Sequence, residues 1–248
     1  MKLHSLGVKL TVIVPAYNEA ATIAEVIRRV FATGVAEEVV VVDDGSTDGT
    51  AEILSRMQIA HGPVVRVLRH AQNRGKGAAI CTGLAVATGD LVLVQDADLE
   101  YEPAEYSVLL APFSDPAVQV VYGSRNLQHN PRSNFAFYWG GRFLSWVANR
   151  LYGSRLTDEA TWYKVVRTSL LRELNLQSEG FEFCAEVTAK LLRRGVRICE
   201  VPISYRPRSR AEGKKIRWSD GIGAVWTLVR FRLARARPGA GKESPPRG

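Results

Sequence analysis

Three stretches of this chain, "KLTVIVPA", "EEVVVVDD" and "DLVLVQ", are near-continuous runs of Val, Ile and Leu that lead into polar or acidic residues. A strand apolar on both faces must be covered on both sides, the condition of a parallel sheet in an α/β protein. A fourth run, "PVVRVLRH", reads as a further strand. Helical patterns lie between them. "EAATIAEVIRRVFA" puts Ile23, Val26, Ile27 and Val30 on one face, "TDGTAEILSRM" opens a short helix, and "GAAICTGLAVAT" is a third. Alternating β and α elements predict a doubly wound, Rossmann-like sheet.

Beyond about Asn126 the pattern changes. "NPRSNFAFYWGGRFLSWVANRLYG" is aromatic-rich and carries Arg142 and Arg150, and "FEFCAEVTAKLLRRG" is an amphipathic helix with Gly195 placed as its C′ residue. "VRICEVPISY" reads as a strand, "SDGIGAVWTLVRFRLARAR" as a last helix with a basic end, and "PGAGKESPPRG" as a disordered tail. The 248 residues, 46% hydrophobic and 23% charged, suffice for one large α/β domain or two small ones. No window approaches the roughly 18–20 consecutive apolar residues of a membrane span. Lys9 and Pro15 interrupt the layout a signal peptide needs. Cys81, Cys184 and Cys199 lack metal-like spacing and read as reduced core residues of a cytosolic protein.

The acids concentrate where strands end. Asp43 and Asp44 follow one run, and Asp96, Asp98 and Glu100 follow another at alternating positions. Alternate residues of an extended segment project to one side, so these carboxylates repel unless a cation lies among them. Hard oxygen ligands suit Mg²⁺ or Mn²⁺ bridging a diphosphate, and the scattered His4, His61, His70 and His129 argue against zinc. Asn18 after the first strand reads equally well as a helix N-cap, and Ser46, Thr47 and Asp48 as caps of the next helix. "NRGKGAAI" lacks the spacing of a Walker A loop but supplies a basic turn with Lys76, suited to a phosphate. The two halves of the chain differ in charge. Residues 1–120 hold 9 Lys and Arg against 15 Asp and Glu, whereas residues 121–248 hold 24 against 10. A cation site in the first half and an anion site in the second fit this better than nucleic-acid binding does.

Taken in order, "VPAYNE", "VVDDGSTDGT", "NRGKGAAI", "DADLEY", "YGSR", "TDEATWYK" and "EVPISY" with "EGKKIRWSDG" resemble family 2 glycosyltransferases, and within them the dolichyl- or polyprenyl-phosphate mannosyltransferase branch. The resemblance spans about Leu10 to Arg232. It implies a GT-A fold, a mostly parallel sheet flanked by helices, in one domain over residues 1–235. The nucleotide-sugar half would lie at about 1–125, the acceptor half at about 126–235, and the tail at 236–248. It also implies a GDP- or UDP-sugar donor, a divalent metal, Mg²⁺ or Mn²⁺, and inverting transfer of a hexose to a polyprenyl phosphate. Pro15, Tyr17, Glu19, Val42 and Asp44 would line the nucleoside pocket, and Lys76 and Ala97 would also face the donor. Asp96, Asp98 and Glu100 would hold the metal. Arg125, with Arg142 and Ser145, would take the acceptor phosphate, and Arg210, Lys214 and Lys215 the donor diphosphate. Asp96, Asp98, Arg125 and Arg210 would carry the catalysis.

A phosphate monoester, with its second pKa around 6, arrives largely ionised at neutral pH and needs cations rather than a general base. The basic second half fits such an acceptor. The aromatic segment 133–152 reads as a core-packing helix or as one lying at a bilayer interface, and the basic last helix is the better candidate for anionic lipid, placing the protein peripherally at the cytoplasmic membrane face, alone or through a membrane-embedded partner. A soluble family 2 enzyme acting on a small molecule or glycan is the alternative. A non-catalytic nucleotide-sugar-binding protein is a further one, against which the intact Asp96 and Asp98 stand.

Overall fold

The valine-rich runs become the centre of one sheet. The structure is a computed structural model that describes residues 7–131, 135–208 and 218–234. Its strands are β1 (Leu10–Ala16), β2 (Glu38–Asp43), β3 (Val65–Arg69), β4 (Leu91–Val94), β5 (Val120–Ser124), β6 (Lys164–Arg167) and β7 (Ile198–Pro202), in the order β3-β2-β1-β4-β6-β5-β7. The first four pair in parallel, with Pro15 opposite Val42, Ala16 opposite Asp43 and Ile13 opposite Val94. β1, β2 and β4 are buried along their whole length. This is the mostly parallel architecture that the alternation predicts.

The helices are α1 (Ile23–Ala32), α2 (Thr50–His61), α3 (Lys76–Val86), α4 (Tyr106–Leu110), α5 (Phe135–Tyr152), α6 (Thr168–Glu173), α7 (Phe183–Arg193) and α8 (Trp218–Leu233). The expected stripe of α1, Ile23, Val26, Ile27 and Val30, is fully buried. At about 1.5–3 kcal/mol per side chain that burial outweighs the intrinsic preferences of the helix. Gly195 follows α7 at φ 70°, as the C′ reading requires. A second, smaller core joins α5, α7 and α8 through Val147, Ala148, Ala185, Ala189, Ala224 and Leu228. No helix among the described residues is long and apolar enough to cross a membrane.

β6 was not foreseen. It runs antiparallel between β4 and β5, pairing Val92 with Val166 and Val121 with Val165. Its four residues, two valines between Lys164 and Arg167, are too few to show a period. β5 was also overlooked, because "VVYGS" merges into the motif that follows it.

The chain leaves β1 toward β2 on one side and reaches β4 on the other. The carboxyl ends of β1, β2 and β4 therefore meet at a topological switch point, the place where open α/β sheets bind ligands. Gly45, just past β2, makes the close approach there possible. Its φ is +74°, and a Cβ on it would lie 2.6 Å from the backbone carbon of Gln72. Gly34 has a similar φ of +65° but faces open space. Gly34→Ala should therefore cost only the left-handed strain, roughly 1–2 kcal/mol. Gly45→Ala should cost on the order of 1–3 kcal/mol more, because backbone must move. Urea unfolding of the two variants measures the difference, and equal losses would contradict the close approach.

Candidate functional site

Gln95 sets the direction in which the chain leaves β4. Its side chain is fully buried, its carbonyl oxygen accepts hydrogen bonds from Tyr106 and Tyr163 (2.8 and 2.7 Å), and its amide donates to the carbonyl of Asp96 (3.0 Å). Held in this way, Asp96 and Asp98 follow at the sheet edge, each 7% exposed. Each already has a cation. The Lys76 ammonium lies 2.5 Å from Asp96 Oδ1 and 3.6 Å from the centre of the Trp162 ring. Arg208, from the segment after β7, donates to Asp98 Oδ2 at 2.7 Å and approaches Glu19 Oε2 at 3.2 Å. Burial, and then the charge of Asp96, push the Asp98 carboxyl above its usual range against the pull of Arg208. The pair therefore calls for positive charge.

Glu100, expected as a third ligand, is directed elsewhere. Its Oε2 accepts from the Tyr205 hydroxyl (2.9 Å) and its Oε1 from the backbone N–H of Arg208 (2.6 Å), while its carbonyl accepts from Arg206 (2.9 Å). It fastens the segment that carries Arg208. Among the described residues no three His, Cys, Asp or Glu side chains are grouped to hold a metal by themselves. The donor set still fits a hard divalent ion, because such ions are commonly held by one or two carboxylates and completed by phosphate oxygens and water.

The residues expected around the nucleoside lie on the loops after β1 and β2 and at the ends of those strands. Pro15 and Val42 are buried strand residues, Tyr17 is half-buried, and Glu19 is buried and accepts from the Thr22 hydroxyl. The Thr22 hydroxyl also lies 2.8 Å from the carbonyl of Ala97, joining α1 to the acidic turn. Asp48 caps α2 as expected, its Oδ1 accepting from the Thr50 N–H at 3.1 Å, whereas the Asn18 cap does not form. Thr22 and Gly49 occupy the N-cap positions of α1 and α2 and make no capping bond of their own. Asn18 instead adopts a left-handed φ of 51°, and its side-chain oxygen accepts from Thr47 N–H at 2.8 Å. Its own N–H donates to the Ser46 hydroxyl at 2.9 Å, and Asp48 accepts from Ala20 N–H at 3.1 Å. These residues tie the two loops together, a tertiary demand that outweighs local capping.

Asp44 has structural partners as well. It accepts from the backbone N–H groups of Arg74 and Gly75 (2.9 and 2.8 Å), and its Oδ1 lies 2.6 Å from His70 Nδ1. It thus holds the basic turn against β2 and places Lys76. Three of about four acceptor sites on that carboxylate are taken. Asp43 accepts from Ser46 N–H and pairs with Arg69.

Arg125, expected to take the acceptor phosphate, stands just past β5. Its Nε and Nη2 each lie 2.7 Å from Asp158, its backbone N–H adds a third bond at 2.9 Å, and the guanidinium carbon is 5.0 Å from the centre of the Tyr205 ring. Asp158 is itself placed by Glu200, which accepts from Thr157 N–H and Asp158 N–H at 2.8 and 3.0 Å. α5 passes close by, for a Cβ on Gly141 would be 4.0 Å from Arg125 Nη2. Arg142 is half-exposed on that helix. Ser145 is buried, donates to the carbonyl of Gly141 and accepts from Glu159 N–H, which joins α5 to the loop before β6. Arg210, Lys214 and Lys215 lie outside the described residues.

Arg208 and Trp162 are the site residues that sequence reasoning missed. "YRPR" directly after a strand, two residues before the chosen Arg210, is the signal that could have found Arg208. The cysteines stay unpaired, and burial pushes the thiol of Cys184 up to about 12.

Against known proteins, the profile described as glycosyl transferase family 2 matches residues 11–174. The polyprenol monophosphomannose synthase of Mycolicibacterium smegmatis is 32% identical over 91% of this chain and 89% of its own. The undecaprenyl-phosphate mannosyltransferase of Micrococcus luteus is 31% identical over 91% of this chain and 99% of its own. Among solved structures, glucosyl-3-phosphoglycerate synthase from Mycobacterium tuberculosis, in complex with Mn²⁺, UDP-glucose and phosphoglyceric acid, superposes with a TM-score of 0.71. It is 23% identical, covering 95% of this chain and 83% of the other, a likeness of fold. With acids at the switch point of a mostly parallel sheet and with these relatives, the chain belongs to glycosyl transferase family 2 and is a glycosyltransferase.

Proposed function

We propose that this protein transfers a hexose, with inversion, from a GDP- or UDP-sugar to a polyprenyl phosphate. The observation that carries this reading is the state of the acids on the acceptor side. Both oxygens of Asp158 are engaged by Arg125, and Glu159 is 1% exposed, shut away from an incoming hydroxyl. Neither is placed to take a proton from a hydroxyl acceptor, so the site suits a nucleophile that arrives ionised. The names of the relatives, a polyprenol monophosphomannose synthase and an undecaprenyl-phosphate mannosyltransferase, point to the same acceptor class.

In this reading Asp96 and Asp98 hold Mg²⁺ or Mn²⁺ with the donor diphosphate, as the chemistry of the two carboxylates allows. The ion, when bound, supplies Lewis-acid stabilisation of the departing diphosphate. Pro15, Tyr17, Glu19, Val42 and Asp44 surround the nucleoside, and Lys76 and Arg208 contribute positive charge beside the diphosphate. Arg125, oriented by Asp158, uses the Nη1 end of its guanidinium to position the acceptor phosphate, and Arg142 adds charge from α5. Arg210, Lys214 and Lys215 complete the donor side. Residues 1–235 act as one catalytic unit.

Attachment is peripheral, at the cytoplasmic face of the membrane, directly or with a membrane-embedded partner. Trp139, Phe143 and Trp146 on α5 are 52%, 53% and 60% exposed, and Trp218, Ile222 and Trp226 on α8 are 78%, 61% and 65% exposed. These spacings put each trio along one side of its helix. Both helices are anchored from beneath by the small core with α7. Exposed indoles beside arginines suit the headgroup region of an anionic bilayer.

Four outcomes are expected. Incubation of the purified protein with nucleotide sugars, polyprenyl phosphate and Mg²⁺ or Mn²⁺ should yield a glycosyl-phosphate lipid identifiable by mass. Asp98→Asn should lower its formation by about 10²–10³-fold with the fold retained; products on soluble acceptors alone would favour the small-molecule alternative. Arg125→Lys, which loses the fork, should raise the KM for the lipid phosphate by about tenfold and leave the KM for the donor unchanged. In liposome flotation, the protein should rise with anionic vesicles at low salt. Replacement of Trp139, Trp146 and Trp226 by Ala should leave it in the pellet fraction, and unchanged flotation of that variant would contradict the interfacial surface.

A further inference from the structure

We infer that Arg208 is a resident counter-cation that keeps free divalent ions off Asp98, so that the metal and the nucleotide sugar load together. The inference rests on the reading of Asp96 and Asp98 as the metal-holding pair and adds to it an order of events. Arg208 reaches Asp98 from a distant part of the chain: its Nη2 is 2.7 Å from Asp98, and Nη1 is 3.2 Å from Glu19. The segment is fixed, because the backbone N–H of Arg208 and the hydroxyl of Tyr205 both donate to Glu100. Lys76 covers Asp96 in the same way.

Every carboxylate that a bare ion would approach therefore already faces a positive group, and the ion would have to displace a cation from a buried carboxylate. An ion that arrives with a diphosphate changes the exchange. The diphosphate oxygens offer Arg208 new anionic partners, so Asp98 is released without leaving a guanidinium unpaired. The present pose also has a built-in penalty, since the Arg208 Nε–H is buried with no acceptor among the described residues. A change of partner relieves it. Arg208 is thus a positioning residue for loading, separate from any contact it makes during transfer.

Mn²⁺ binding followed by electron paramagnetic resonance, with and without UDP or GDP, tests the exchange on the full chain. Arg208→Gln should bind Mn²⁺ alone about tenfold tighter than the wild type, because the fraction of sites with Asp98 available rises. Arg208→Met should do the same in a second background, whereas Arg208→Lys, which keeps the charge, should stay near the wild type. Asp98→Asn should abolish binding in each background. If both neutral variants bind Mn²⁺ no tighter than the wild type while Asp98→Asn still abolishes binding with the nucleotide, the exchange is wrong and the metal site stands. If Asp98→Asn binds Mn²⁺ with the nucleotide as well as the wild type does, the site reading fails and takes the exchange with it.

Discussion

Two carboxylates forced together at the end of a buried strand are the constraint on which the site depends. Asp96 and Asp98 leave β4 at the switch point, nearly covered by protein, where burial and then the charge of Asp96 raise the cost of ionising Asp98. The chain answers with one cation for each. Lys76 comes from the start of α3, 20 positions from its partner, and Arg208 from the far end of the sheet, 110 positions away. Holding those cations in place explains much of the neighbouring structure. Asp44 and His70 secure the turn before Lys76, and Glu100 secures the segment before Arg208. The contrast between an acidic first half and a basic second half thus becomes a local arrangement, with charge from one half neutralising charge from the other.

A second network stands opposite and has the reverse polarity. Glu200 places Asp158, Asp158 places Arg125, and Arg125 stands over Tyr205, the same residue whose hydroxyl reaches Glu100. Tyr205 therefore touches both networks. In a buried setting, removing one member of such a chain leaves a charge without compensation, which is far more damaging than the modest net worth of the pair. The guanidinium of Arg125 is thus held in one orientation, and the acceptor site proposed for it would be preorganised.

The parts of the fold set by local pattern were legible. Valine-rich strands, the apolar stripe of α1 and the glycine after α7 follow from periodicity and backbone preference, and so did the convergence of the acids on one edge. β6 was not legible, because two valines between two basic residues carry no period. The loop residues were misread for a related reason. Asn18 and Ser46 are good capping types, yet here they bond across two loops that are far apart in sequence, and Asp48 does so while also capping α2; nothing local announces the cross-loop bonds. Asp44 and Glu100 were recognised as site acids, but their backbone partners were invisible until the turns were folded against them. Arg208 shows the same limit, since a lone arginine in a basic stretch looks like any other until the sheet closes.

The most direct test of the charge arrangement is a crystal structure with Mn²⁺ and a nucleoside diphosphate, using anomalous scattering to locate the ion. The expected result is an ion coordinated by Asp96 and Asp98, with the Arg208 guanidinium moved off Asp98 and onto the diphosphate. An ion bound elsewhere, with the Arg208–Asp98 and Lys76–Asp96 pairs intact, would contradict it.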